Sequence, residues 1–182
     1  MKILPISVLG ECFDCDFSTG RLSWKSRPLS HFSSVRGCNS ANAKFAGRDV
    51  APKLNNRGYR VVGITFQGNA RIYLQHRIVF ALATGAWPSD MLDHIDGDRA
   101  NNSISNLRPC TMQQNAMNQP GKLPSKGRLK GASFHQRLGK WSASICVDYR
   151  KRHLGYFDTA EAAHTAYQTA AAELHGAFAR FG

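Results

Sequence analysis

Leu92-Asp93-His94-Ile95-Asp96-Gly97-Asp98 constrains this chain more than any other stretch, together with Asn101, Asn102, Asn106, Leu107, Arg108 and the run Thr111-Met112-Gln113-Gln114-Asn115. Residues 91–93 read as extended and lead to a carboxylate beside an imidazole. A loop of Gly, Asp and Asn follows, then a second extended segment over 107–110, then a helix. Thr111-x-x-Gln114 fits a capping box, which fixes the start of that helix and sets Asn115 with Asn118 or Gln119 on one face of its next turn.

Charge says what surrounds this stretch. The 182 residues are 42% apolar, enough to bury the core of one or two small domains, and carry a formal charge of +12 with a pI near 9.9. Such a balance is the footprint of a protein that sits on polyanion, nucleic acid first. Acid and base are segregated: Lys122 to Arg152 holds nine Lys and Arg against Asp148 alone, whereas Asp90, Asp93, Asp96 and Asp98 fall within nine residues. Acids in a Gly-Asp-Asn loop favour turns. Massed inside a cationic, phosphate-binding protein, they also point to a bound divalent cation.

Cys12, Cys15, Cys38, Cys110 and Cys146 form an odd set without a pairing pattern. No secretory signal or membrane span is legible, so a reducing cytoplasm is expected, with no membrane partner. Cys12-x-x-Cys15 is half of a zinc knuckle, and no second pair follows.

Before the motif, residues 13–24 alternate loosely around Ser18-Thr19-Gly20 as a short hairpin, and Ser30 to Arg48 reads as a loop. Tyr59 to Phe66, a Gln67-Gly68-Asn69 turn and Arg71 to Leu74 read as a second hairpin. Gln75 to Thr84, with Ile78, Val79, Leu82 and Ala83 at helical spacing, is a helix stopped at Gly85. His76 and Arg77 open that helix, where donors beside free backbone N–H groups suit a phosphate; His76 filling the hairpin–helix junction is the other reading. Residues 121–127 read as a linker. Beyond them, 131–135, 140–147 and 150–157 form a three-stranded antiparallel sheet. A helix follows, capped at Asp158 and Thr159, with Ala163, Ala166, Tyr167, Ala170 and Leu174 as its core stripe.

Phosphodiester hydrolysis needs a base for the attacking water, an electrophile for the leaving oxygen and a grip on the phosphate. Asp93 offers a hard oxygen suited to Mg²⁺ or Mn²⁺, and Asn115 a further amide oxygen. His94 points to the opposite side of the strand and would reach the water. Asn106 has the donors and acceptors to tie down the loop and orient the base.

On these residues the chain resembles the HNH endonucleases of phages and mobile introns, with their ββα-metal fold, in the variant with Asn in place of the last His. The resemblance covers about residues 10 to 120, most clearly from 58. It implies His94 as general base, Asp93 and Asn115 as ligands of one Mg²⁺ or Mn²⁺ ion, and Asn106 as the brace. His76, Arg77 and Arg108 are further candidates for DNA contact.

Lys130-Gly131, Gly139-Lys140-Trp141, His153 to Thr159 and Glu161 to Tyr167 resemble the DNA-binding domain of plant ethylene-response factors, over about 126 to 181. Cys146 and His153 depart from the family's frequent Arg and Trp. The resemblance implies a sheet laid in the major groove, and by position nominates Ser133, His135, Arg137, Lys140, Trp141, Ser144, Arg150 and Arg152. Trp141 is equally readable as a core aromatic.

The expected architecture is therefore α+β: an HNH nuclease core with a preceding β-hairpin and helix in 1–120, its motif at 91–119, then a small sheet-plus-helix domain in 128–182. The expected function is a metal-dependent endonuclease on double-stranded DNA, phage-borne or homing-like, acting in the cytoplasm with a monomer as default. The alternative is a non-catalytic DNA-binding regulator that keeps both folds.

Overall fold

The computed structural model describes residues 3–51, 53–119 and 129–181. The chain divides into two compact units, Met1–Pro109 and Cys110–Gly182. The expected linker, 121–127, lies outside the described residues.

In the first unit, β1 (Phe13–Asp16) pairs with β2 (Arg21–Trp24), and β4 (Arg60–Phe66) lies between β3 (Lys53–Leu54) and β5 (Asn69–Leu74). Alternation along β4 sends Val62 and Ile64 inward and Gly63 and Thr65 outward. The helix after β5, here α3 (Gln75–Thr84), lays Ile78, Val79 and Ala81 on them, all fully buried. Burying side chains of the size of Ile78 and Val79 contributes roughly 2 kcal/mol each. Leu9, Cys12, Phe13 and Leu22 complete this core. The motif then forms a two-stranded sheet of β6 (Met91–His94) and β7 (Leu107–Cys110).

Two helices of this unit depart from the sequence reading. Residues 6–12 form α1 (Ile6–Cys12), with Pro5 at its N-cap position. The expected loop at 30–48 contains α2 (Val35–Phe45), capped by Ser34, whose hydroxyl accepts from the Gly37 N–H at 3.1 Å. Its only buried side chain is Cys38. An apolar stripe was therefore missing from the sequence. Asn42 fastens the helix instead, accepting from Arg27 N at 3.0 Å and donating to Arg27 O at 2.9 Å.

The second unit begins with α4 (Met112–Met117), where the capping box is present: Thr111 Oγ1 accepts from Gln114 N at 3.2 Å and Gln114 Oε1 from Thr111 N at 2.8 Å. The helix is shorter than expected, with Asn118 at its C-cap position. Lys130 Nζ ties its end to the tail of the chain, donating to Met117 O, Gln119 O and Arg180 O at 2.8–3.1 Å. Strands β8 (Ala132–His135), β9 (Lys140–Val147) and β10 (Arg150–Phe157) form an antiparallel sheet with β9 in the middle, and α5 (Ala160–His175) covers one face. Small side chains allow a close approach, with Ala132, Ala143, Ala163 and Ala171 buried together with Ile145 and Tyr167. Gly131, at φ +80°, passes so near Tyr167 that a Cβ would lie 2.1 Å from its ring. No described helix is long and apolar enough to cross a membrane.

Candidate active site

Residues 91–94 of β6 carry Asp93 and His94 to the centre of the first unit, each only 4% exposed. Arg108 on β7 holds Asp93, its Nε and Nη2 donating to Oδ2 at 2.9 and 2.7 Å. A charge buried to this degree requires such a partner. Arg108, nominated for DNA, is thus engaged with the acid of the motif.

His94 Nε2 donates to Asn102 Oδ1 at 3.0 Å. Asn102 is 1% exposed, and its acceptor oxygen selects the tautomer with the proton on Nε2, leaving Nδ1 as the ring's acceptor. Around the imidazole, His76 meets it edge-on at 5.0 Å and Tyr59 lies 5.9 Å away. The Arg99 guanidinium sits 5.0 Å over Tyr59 and donates to Arg57 O at 2.7 Å.

Asn106 spans the loop. Its Oδ1 accepts from Asp96 N at 3.0 Å, and its Nδ2 donates to Asp96 Oδ1 and Asn101 O at 2.9 Å. Its carbonyl accepts from Ile95 N at 2.9 Å. Burial opposes the charge on Asp96, but the amides of Asn106 and Asn101 and the Asp98 N–H outweigh it and hold this carboxyl below its ordinary range.

His76 and Arg77 take up inward positions. His76 is 4% exposed and fills the hairpin–helix junction, where burial first, then His94 and Arg77, push its pKa down to about 3. It is held neutral, and its Nδ1 has no hydrogen-bond partner among the described residues. Arg77 donates to Pro88 O at 2.8 Å and Asp90 O at 3.1 Å, bracing the segment that leads into β6.

The first hairpin is a seat for the loop, a role without a local signal in the sequence. In its turn, Ser18 Oγ and Thr19 Oγ1 donate to Asp16 at 2.6 and 2.7 Å, which holds that carboxyl down at about 2. Gly20, at φ +69°, backs onto Asn102 so closely that a Cβ would lie 2.1 Å from its carbonyl oxygen. Gln75 Nε2 donates to Gly20 O at 2.7 Å, and Ile104 N to Phe17 O at 2.9 Å.

Asn115 stands on α4 in the second unit, half-buried, its N–H donating to Thr111 O at 3.0 Å. Among the described residues no group of three His, Cys, Asp or Glu gathers as a metal cluster. Asp93 offers carboxylate oxygen and Asn115 an amide oxygen, donor types that fit a hard divalent cation. Burial pushes the Cys12 and Cys15 thiols up to about 11, away from the thiolate form a zinc knuckle uses.

In the second unit, strand register sorts the nominated residues, because partners across antiparallel strands share a face. Ser133 pairs with Ser142 and Tyr156 with Ser142, His135 with Lys140, Ser144 with His153 and Cys146 with Lys151, all on the face away from α5. Trp141 pairs with Phe134 and Phe157 on the covered face, half-buried against the alanine cluster. Arg150 and Arg152 pair with Val147 and Ile145 and share that second face. Arg137 lies in the 3₁₀ turn joining β8 to β9. Lys151, His153 and Tyr156 share the uncovered face and were not nominated, since the basic run Arg150-Lys151-Arg152 does not by itself show which of the three lies on which face.

The family model described as HNH endonuclease matches residues 73–117, which is α3, β6, the loop, β7 and α4. Protein 3.8 of Escherichia phage T7 is 31% identical over 108 residues, 59% of this chain and 88% of that protein. The chain belongs to one family with that phage protein, and its residues 73–117 form an HNH endonuclease domain. An uncharacterized HNH endonuclease, L560 of Acanthamoeba polyphaga mimivirus, is 35% identical over 106 residues, covering 57% of this chain and 54% of its own length. The solved structure of the homing endonuclease I-HmuI aligns loosely, at a TM-score of 0.43 and 19% identity over 92% of this chain and 88% of that one.

Proposed function

We propose that the protein is a divalent-metal-dependent endonuclease that hydrolyses phosphodiester bonds in double-stranded DNA. The observation that carries this reading is the buried His94, its Nε2 3.0 Å from Asn102 Oδ1, set beside Asp93 on the same strand. With Nε2 tied to Asn102, Nδ1 accepts a proton from water as the water oxygen bonds to phosphorus. The P–O bond to the leaving strand then breaks, and its oxygen takes up a proton from solvent. Asn106 keeps the loop closed behind His94, and Arg108 keeps Asp93 oriented. Asp93 and, by the family pattern, Asn115 are the proposed ligands of Mg²⁺ or Mn²⁺. When bound, that ion supplies positive charge for the leaving oxygen.

Sequence reading we assign to the uncovered face of β8–β10, with Ser133, His135, Lys140 and Ser144 joined by Lys151, His153 and Tyr156, and Arg137 at its edge. Phage membership of the family fits action in a host cytoplasm, and one site per chain makes a nick the default product.

Supercoiled plasmid incubated with the protein tests this reading. Relaxation is expected with Mg²⁺ or Mn²⁺ and not with EDTA, and His94→Ala is expected to lower the rate by about 10²–10⁴. No nicking with either ion rejects the nuclease in favour of a DNA-binding regulator; undiminished nicking by the variant rejects His94 as the base.

A further inference from the structure

Residues 17 to 89 hold eleven Lys and Arg and one acid, Asp49, which is itself ion-paired with Arg21. Neither the active-site loop nor the uncovered sheet of the second unit accounts for this charge. Part of it converges on a groove of about 820 Å³ between α2, residues 48–51 and the outward face of the β3–β4–β5 sheet. Its floor is apolar and low: Val61, Gly63 and Thr65 are the outward residues of β4, and Ile72 of β5, paired with Gly63, is 75% exposed. Phe45 forms a wall. Lys44, Arg48 and Lys53 stand exposed along the rim. Beneath, Arg27 is 7% exposed, its guanidinium 4.9 Å from the Trp24 ring and 4.7 Å from the Phe32 ring.

An exposed isoleucine in a floor of small side chains is costly in water and useful against a partner. The lining selects that partner by charge: Lys44, Arg48 and Lys53 outnumber the one acid there, Asp49, which is ion-paired with Arg21, and cations beside an apolar floor match a chain with phosphates and apolar sugar edges. We propose that this groove is a DNA-binding site that holds one sugar–phosphate strand, with phosphates on Lys44, Arg48 and Lys53 and deoxyribose against Ile72 and Gly63. The assignment rests on the reading of the protein as one that binds DNA. It places a phosphate grip in the unit that also carries His94, so the nuclease half holds its substrate without relying on the sheet of the second unit.

The test uses the full chain carrying His94→Ala, so that DNA stays intact, and fluorescence anisotropy with a labelled duplex across a salt series. The groove variant is Lys44→Gln/Arg48→Gln/Lys53→Gln; the control is Arg36→Gln, an exposed cation on α2 that does not line the groove. Removing one cation that neutralises a phosphate makes the log–log salt slope shallower by about 0.9, so the triple variant is expected to have a slope shallower by roughly two to three and to bind at least tenfold more weakly near physiological salt. Ile72→Glu, at an exposed position that leaves the core alone, is expected to weaken binding as well. An unchanged slope in the triple variant overturns the proposal, as does an equal loss in Arg36→Gln. If a poly-aspartate peptide, and not DNA, binds with this dependence, the groove is a peptide site and the proposal fails. Because binding is read without turnover, an inactive wild type that still shows the slope change removes the nuclease reading and keeps the groove.

Discussion

The loop between β6 and β7 and the uncovered face of β8–β10 are both rich in polar side chains, yet they are built on opposite principles. At the loop and the end of β6 that leads into it, Asp93, His94, Asn102 and Asn106 are buried and bond to one another, to Arg108 and Asp96, or to backbone, with Asn102 Nδ2 unpartnered among the described residues. On the sheet, Lys140, Lys151, His153 and Tyr156 are exposed, with contacts such as Ser142 to His153 at 3.3 Å and His153 to Tyr156 at 4.6 Å. A buried polar network has to be complete to be stable, and one missing partner leaves the others unsatisfied. An exposed face tolerates change because water replaces what is removed. Chemistry that depends on fixed geometry falls in the first kind of surface, and recognition that can be retuned falls in the second.

The contrast breaks most visibly at Asn106. Asn106→Ala removes three side-chain hydrogen bonds in a group 8% exposed, and should cost about 3 kcal/mol, read as a lower denaturation midpoint, along with cleavage. If the melt is unaffected, the loop is not a closed network.

Acid should reach the same region next. His76 has its pKa depressed to about 3 in the folded state, against about 6.5 unfolded, so the unfolded chain binds the extra proton between those values. Its contribution is fully present above pH 6.5 and is lost as pH falls toward 3. The expected loss is about 2 kcal/mol between pH 7 and pH 5. Denaturant titrations at the two pH values check it, with His76→Phe as the variant in which the dependence should flatten.

Asn102→Ala should slow cleavage roughly tenfold or more and lower the melt as well, since it removes the buried acceptor on His94 Nε2, while DNA affinity stays put. ¹⁵N shifts of the His94 ring report the tautomer directly; an unchanged tautomer with unchanged rate would take Asn102 out of the site.

The smallest effects belong to the sheet. Lys151→Ala should reduce the salt slope of DNA binding by about 0.9 without moving the melt. Arg152→Ala, on the other face, should change it less. Equal effects would mean that register does not define the reading surface.

How much of this could be read beforehand follows the same division. The β4–β5 hairpin, α3 and the three strands of the second unit were legible because alternation, turn residues and helix spacing are local signals. Helices α1 and α2 were not: α2 is held by Asn42 on Arg27 and by one buried cysteine, and the Asn42–Arg27 pair spans fifteen residues. Within the site, Asp93, His94 and Asn106 stand out by type and spacing. Asn102 is one of several asparagines in a polar loop, and only its burial against Gly20 separates it from its neighbours. Arg77 and Arg108 were nominated as phosphate contacts because sequence shows charge and not the carbonyls and carboxylate to which they bond.

The seat that Gly20 offers to Asn102 also orders events in time. Gly20 and its partner Gln75 are 55 residues apart, and Asn102 comes later still. The first hairpin leaves the ribosome long before the loop it supports, and domains assemble from their N-terminal end during synthesis. Such distant contacts close late, after the entropy of a long loop has been overcome. His94 is therefore among the last groups to be set, and a chain halted before the motif holds the seat without the loop that rests on it.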